Sequence, residues 1–220
     1  TSLSPPLSAK ALLAPPPSEA SQCGGEAATR SPEEPGERQN ALTPAPWRRS
    51  ARLDVSRLDL RVGRVLSTRR HPLAAALTLQ EVDIGEDVPR PVASWDGGLR
   101  PPPVDKVCLQ GDLAVLLCNL KASKKRGVVS RARILRCCTS EGVAELLAPP
   151  PGASPGDRVT FLDYPGEPDK ELPSKQTLWD VLQPDMRVDS RGVANYKGCR
   201  FQVKGKGLCR APSLTSCTIR

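Results

Sequence analysis

The sequence predicts a mainly β protein: a small barrel of five short strands, a smaller α+β unit after it, and a disordered arm ahead of both. Three observations predict this. From residue 58 onward, short runs of alternating apolar and polar residues are bounded by Gly and Pro, the pattern of half-buried strands. Aromatic residues make up only 3% of the 220 residues, so the core must rest on Leu, Val, Ala and Ile. Composition also changes abruptly near residue 50, because nine of the 24 prolines precede it.

The arm comes first. Residues 1–51 show no sustained period of 2 or 3.6, and their charges cancel: Lys10, Arg30, Arg38, Arg48 and Arg49 against Glu19, Glu26, Glu33, Glu34 and Glu37. Such a segment cannot bury enough apolar area to offset its ordering entropy. The formal net charge of +8 therefore belongs to the remainder, which concentrates the positive field on the folded part.

The barrel is expected over residues 52–148. Leu58, Leu60 and Val62 alternate with Asp59 and Arg61 and continue to Val65, a strand with a bulge or bend at Gly63. Leu77 to Ile84 reads as the second strand, Arg90 to Ser94 as a short third, Leu113 to Asn119 as the fourth and Val128 to Cys138 as the fifth. Residues 149–220 form the second unit, opened by the Pro149–Gly156 turns. Strands are expected at Val159–Leu162, Val193–Tyr196, Phe201–Lys204 and Leu208–Arg210. Ser174 is placed to cap a helix over Lys175–Gln183 that buries Leu178, Val181 and Leu182, with Pro184 ending it.

Several function classes are excluded. The longest apolar run, Leu113 to Cys118, is far short of the ~18 residues of a membrane span. Lys10 is followed only by Ala-Leu-Leu-Ala before three prolines, whereas a secretory h-region needs ~7–15 apolar residues. The eight cysteines include no Cys-x-x-Cys pair, and His71 is the sole histidine, so the thiols read as small buried hydrophobes in a reducing compartment and no metal or other cofactor is expected. No nucleophile is paired with His71 by spacing, and the acids Glu167, Asp169 and Glu171 lack a second cluster, so no catalytic residue is assigned and the chain is read as a non-enzyme. Lys204-Gly205-Lys206-Gly207 lacks the hydroxyl residue and following helix of a phosphate-binding loop, and reads as a hairpin.

The informative stretch is 119–136, with seven basic residues (Lys121, Lys124, Lys125, Arg126, Arg131, Arg133 and Arg136) and no acid. Lys121 to Arg126 fall in a loop closed by Gly127, and Arg131 and Arg133 share one face of the strand that follows. Loop and face together make one cationic surface suited to phosphates. Few aromatics are available to stack bases, so this surface is expected to read backbone and shape, with Trp95 read first as a partly buried loop anchor and alternatively as a ring on which a base stacks.

Specific segments add to this reading. DVSRLDLRVGRV at 54–65, His71-Pro72, QEVDIGE at 80–86, LLCNLK at 116–121, KKRGVVS at 124–130, LAPP at 147–150, PGDRVTF at 155–161, PGEPDKEL at 165–172, YKG at 196–198 and FQVKGKGLCRA at 201–211 follow one another in a family's order. They resemble the endothelial monocyte-activating polypeptide II-like proteins, the C-terminal tRNA-binding region of the auxiliary component of the multisynthetase complex. The C-terminal extension of tyrosyl-tRNA synthetase is similar. The resemblance covers roughly residues 52–220.

It implies a five-stranded OB-fold barrel, a pseudo-dimerisation domain packed on it, and non-catalytic, sequence-tolerant tRNA binding in the cytoplasm that assists an aminoacyl-tRNA synthetase or the multisynthetase complex. The family's RNA-binding segment falls on Asn119, Lys121, Lys124, Arg126, Gly127 and Ser130, with Ser94 nearby; the charge pattern adds Lys125, Arg131 and Arg133. Arg61, Val62, Gly63, Arg64 and Val65 resemble a cytokine-like segment. The alternatives it carries are a ligand for a cell-surface receptor, secreted without a signal peptide, and a divergent copy with eroded activity. Departures stand at Leu73, Ala75 and Ala76, where the family has acidic and serine positions, at Trp95 in place of a glycine, and through Pro101 to Asp112.

Overall fold

Alternating burial along one long strand organises the molecule. The computed structural model describes residues 53–95, 110–172 and 178–220, all within the unit Arg49–Arg220. The expected arm, most of the 96–112 connection and the helix cap Ser174 lie outside the described residues.

Strand β1 (Leu60–His71) pairs antiparallel with β2 (Ala74–Asp83), β2 with β3 (Arg90–Trp95), and the other edge of β1 with β4 (Leu113–Leu117). Leu60, Val62 and Val65 are fully buried. The expected bend at Gly63 falls elsewhere: Gly63 pairs in register with Ala114, and the register shifts lie between Val65 and Ser67 and between Arg70 and His71. Gly63 answers a packing demand instead, since a Cβ there would stand 2.7 Å from Leu116 Cδ1 and from Val82 Cγ1. Carbon atoms pack at about 3.5–4.0 Å, so any side chain would push the sheet from its core.

The fifth expected strand divides. A hairpin of β5 (Ser123–Lys125) and β6 (Val128–Ser130) comes first, then β7 (Arg133–Ile134), then β8 (Arg136–Cys138). The main sheet has the order β3-β2-β1-β4-β7. Arg131 N–H donates to Pro91 O at 2.9 Å and Ala93 N–H to Ser130 Oγ at 3.0 Å, bringing the segment before β7 back against β3.

The remaining elements are β9 (Ala144–Leu146), β10 (Val159–Thr160), α1 (Leu178–Leu182), β11 (Met186–Val188), β12 (Ala194–Tyr196), β13 (Cys199–Arg200), β14 (Gln202–Val203), β15 (Gly207–Leu208) and β16 (Thr218–Ile219). β10, β14 and β15 form one small sheet; the other runs β13-β12-β11-β16-β8-β9. The helix buries Leu178, Trp179 and Leu182 and leaves Val181 56% exposed, so its inward face is rotated from the expected one. Trp179 carries far more apolar area than Val181, and in a five-residue helix the two cannot both face inward with Leu178 and Leu182.

Segments before and after residue 148 share this architecture. Thr218 pairs with Cys138 and Ile219 with Cys137, while Arg136 and Arg220 exchange both backbone hydrogen bonds at 2.8 Å. One core cluster takes Leu60, Val62, Val115, Leu117 and Leu135 together with Phe161, Tyr196, Phe201 and Ile219; the Phe161 and Phe201 rings meet edge to face at 4.8 Å. Six cysteines among the described residues are buried free thiols, and burial pushes Cys118 and Cys209 up to about 12, so they pack as small hydrophobes at neutral pH. No helix among the described residues is long and apolar enough to cross a membrane.

Candidate nucleic-acid interface

The basic stretch is a hairpin rather than a loop. Ser123 pairs with Ser130, Lys124 with Val129 and Lys125 with Val128, leaving Arg126 and Gly127 as a two-residue turn. Their φ values, 50° and 92°, are both positive, as a type I′ hairpin turn requires. Glycine meets that demand at no cost, but an arginine in the left-handed region is strained by about 1 kcal/mol or more. His71 offsets the strain. Its Nδ1 accepts from Leu73 N–H at 3.1 Å, which places the ring proton on Nε2, 3.2 Å from the Arg126 carbonyl. A histidine at the end of β1 thereby holds the tip of the basic hairpin.

Period-2 alternation sorts the cations. Lys121, Lys124 and Arg126 are exposed, and beyond the hairpin Arg131 and Arg133 are exposed on either side of buried Ala132. The Arg133 guanidinium lies 5.2 Å from the Trp179 ring centroid, which braces it from α1. Lys125 turns the other way. It is half-buried, its Nζ donates to Ala93 O at 2.9 Å, and desolvation, with Arg133 adding repulsion, lowers its pKa. Among the described residues, Glu86 and Asp180 act on these cations. Glu86 is held by Arg90 at 2.6 and 2.8 Å, and that bond keeps its carboxyl below the usual range, while Asp180 attracts Arg133. Arg131 also lines a groove of about 850 Å³ whose walls carry both signs, Arg90 and Lys170 against Glu86 and Glu171.

Three of the expected RNA-binding residues are occupied within the protein. Asn119 is 5% exposed, accepts from Asp59 N–H at 3.1 Å and donates to the carbonyls of Arg57 and Asp169 at 2.9 Å each. Both amide hydrogens are used, so Asn119 clamps the entry to β1 onto the 169 turn. Ser130 is buried and bridges Ala93 N–H to Ala132 O. Ser94 Oγ donates to Gln80 at 3.2 Å on β3, away from the hairpin tip but beside Lys125 and Arg133. Trp95, expected as a loop anchor, is the last residue of β3 and 51% exposed.

The cytokine-like segment is interior in the main. Val62, Gly63 and Val65 are buried; Arg61 is held by Asp59 at 3.0 and 3.1 Å, and Arg64 donates to Gly111 O at 3.3 Å. Lys204–Gly207 forms the β14–β15 hairpin, with Lys206 paired to Asp157 at 2.6 Å. Among the described residues, no three His, Cys, Asp or Glu side chains come together as metal ligands.

Spacing left the role of His71 unassigned, although a side-chain acceptor two residues before an N–H is a recognised turn pattern. His71→Ala is expected to lower stability by about 1–2 kcal/mol through two lost hydrogen bonds, and His71→Asn to recover the turn bond but not the tie to Arg126. Thermal unfolding of the three chains measures this, and equal midpoints would remove His71 from the account.

Residues 60–158 match the family model described as "Putative tRNA binding domain". The chain is 48% identical over 176 residues to the Aminoacyl tRNA synthase complex-interacting multifunctional protein 1 of Cricetulus griseus, covering 80% of this chain and 48% of that protein. It is 42% identical over 163 residues to the cytoplasmic tyrosine–tRNA ligase of Xenopus tropicalis, covering 72% and 30%. The crystal structure of the C-terminal domain of Plasmodium vivax p43 is similar with a TM-score of 0.68 and 31% identity, over 76% of this chain and 99% of that one. The class these matches define is that of chains built on a tRNA-binding domain. Within that class, this chain belongs to the endothelial monocyte-activating polypeptide II-like family. It spans about half the length of the first two curated relatives, 48% and 53%.

Proposed function

We propose that this chain is a non-catalytic tRNA-binding protein that raises the local tRNA concentration for an aminoacyl-tRNA synthetase or the multisynthetase complex. One observation carries the reading: Lys121, Lys124, Arg126, Arg131 and Arg133 are exposed on one hairpin and on the residues just before and after it, with no acid inside that stretch. Such a surface binds phosphates without reading bases. The names of the relatives, synthetases and a synthetase-complex protein among them, point to the same partners.

The proposal has a structural side. Residues 52–148 act as a closed OB-fold barrel, supported by the Arg131–Pro91 bond between the ends of the main sheet, and residues 149–220 as a pseudo-dimerisation domain that covers the barrel's apolar flank. The rival reading, a signalling ligand for a cell-surface receptor, would rest on Arg61 and Arg64 alone, because the rest of its segment is interior.

Residues 1–51 carry no net charge to release counterions, so a chain beginning at Arg52 is expected to bind labelled tRNA within about twofold of the full chain. Fluorescence anisotropy at fixed salt tests this. Failure of the full chain to bind any tRNA would overturn the function. A loss of about tenfold on removing the arm would instead assign it contacts.

A further inference from the structure

A second basic feature lies beside the hairpin. Lys125, Arg133, Arg136 and Arg220 line a pocket of about 230 Å³, with Ser94 and Trp95 at β3 completing its wall. Among the described residues, no acidic side chain lines it. Burial, with repulsion from Arg133 added, lowers the pKa of the Lys125 ammonium in this small concave space. An anion in the pocket would remove that repulsion. The fold brings these groups together: the backbones of Arg136 and Arg220 are held opposite each other by paired hydrogen bonds, Arg133 packs over Trp179, and Lys125 is tied to Ala93 O. Arginine forks of this kind suit phosphate oxygens. The pocket is too narrow for a duplex, and its one large apolar surface is the half-exposed Trp95 ring.

We propose that this pocket receives one unpaired nucleotide of a single-stranded RNA segment, with its phosphate among Arg133, Arg136 and Arg220 and its base stacked on Trp95. The proposal rests on the tRNA-binding reading and deepens it: the hairpin holds backbone phosphates, while the pocket selects a nucleotide that is not base-paired. Stacking on an aromatic ring tolerates any base, so the site distinguishes paired from unpaired RNA without reading sequence.

The probes are an unstructured single-stranded RNA hexamer and intact tRNA, each titrated into the full chain. Hexamer binding is expected to quench tryptophan emission. Trp95→Ala should weaken the hexamer by about tenfold, since stacking on one ring carries that much affinity. Trp95→Phe should keep most of the affinity and lose the quenching, which guards against a mere folding defect. Arg220→Ala should flatten the salt dependence of hexamer binding by about 0.7 in log–log slope. Equal hexamer affinity in Trp95→Ala, or unchanged emission at saturation, would overturn the proposal. A chain that binds tRNA but not the hexamer loses this pocket and keeps its proposed function; one that binds neither loses both.

Discussion

Raising salt fourfold is expected to weaken tRNA binding roughly 50- to 150-fold, because about four phosphates are neutralised at once and each contributes ~0.7–0.9 to the log–log slope. Five exposed cations supply those contacts, and Lys125 is not among them, since its ammonium is turned onto Ala93 O. Replacing Lys124 and Arg126 by alanine should flatten the slope by about 1.5 and, with the lines converging near 1 M, cost on the order of 30-fold in affinity at 0.1 M salt. All tRNAs should lose similarly, because phosphate contacts position without specifying. Anisotropy titrations at four or more salt concentrations measure both slopes. An unaltered slope in the double variant would show the hairpin to be a solvated charge run. Strong selectivity for one tRNA would refute backbone reading.

The second expected result concerns stability. A chain covering residues 53–148 should not fold as a stable monomer. Its loss of residues 149–220 uncovers Leu60, Val62, Val115, Leu117, Leu135 and Leu147, all fully buried in the whole chain. Each large apolar side chain returned to water costs about 1.5–3 kcal/mol, and a few of them exceed the ~5–15 kcal/mol that holds an ordinary domain together. Polar ties go as well. Val62 N–H loses Asp157 O at 2.8 Å, the Val62 carbonyl loses Gly156 N–H at 2.9 Å, and Arg57 loses Asp169 at 2.7 Å. Circular dichroism on heating, with size-exclusion chromatography, decides the matter. A monomer unfolding cooperatively within about 5 °C of the whole chain, a shift worth only ~1 kcal/mol, would show that the two segments are energetically independent.

Local pattern made part of this legible in the sequence. The alternation from Leu58 onward and the run at Leu113 announced β1 and β4, since burying one face of a strand writes period 2 directly into the residues. The β5–β6 hairpin was hidden because its turn is Arg126-Gly127, without the Asn or Asp that usually signals positive φ, and because its strands are charged on the outer face. The two-residue strand β16 carries no periodicity of its own; its pairing with Cys137 and Cys138 is a tertiary choice. The basic stretch was visible as charge, but charge alone did not separate Lys124, pointing outward, from Lys125, pointing in. Alternation sets them on opposite faces, yet only the position of β3 determines which face is covered. Asn119 and Ser130 illustrate the converse: polar residues within a basic motif whose hydrogen bonds belong to the scaffold.

The pairing of Arg136 with Arg220 also sets a clock on biosynthesis. The two residues are 84 positions apart (220 − 136), and a ribosome adding about 5–20 residues per second needs on the order of 4–17 s to travel between them. Through most of that interval β8 has β9 beside it but lacks its other partner, β16, and the apolar flank of the half-made protein awaits Phe161, Phe201 and Ile219. Nascent chains of this protein therefore present a sticky surface and an unpaired strand edge for seconds, the condition under which chaperones engage and neighbouring polysomes cross-associate. Synonymous changes that slow translation between codons 148 and 220 should lengthen that exposure and reduce soluble yield without altering a single side chain.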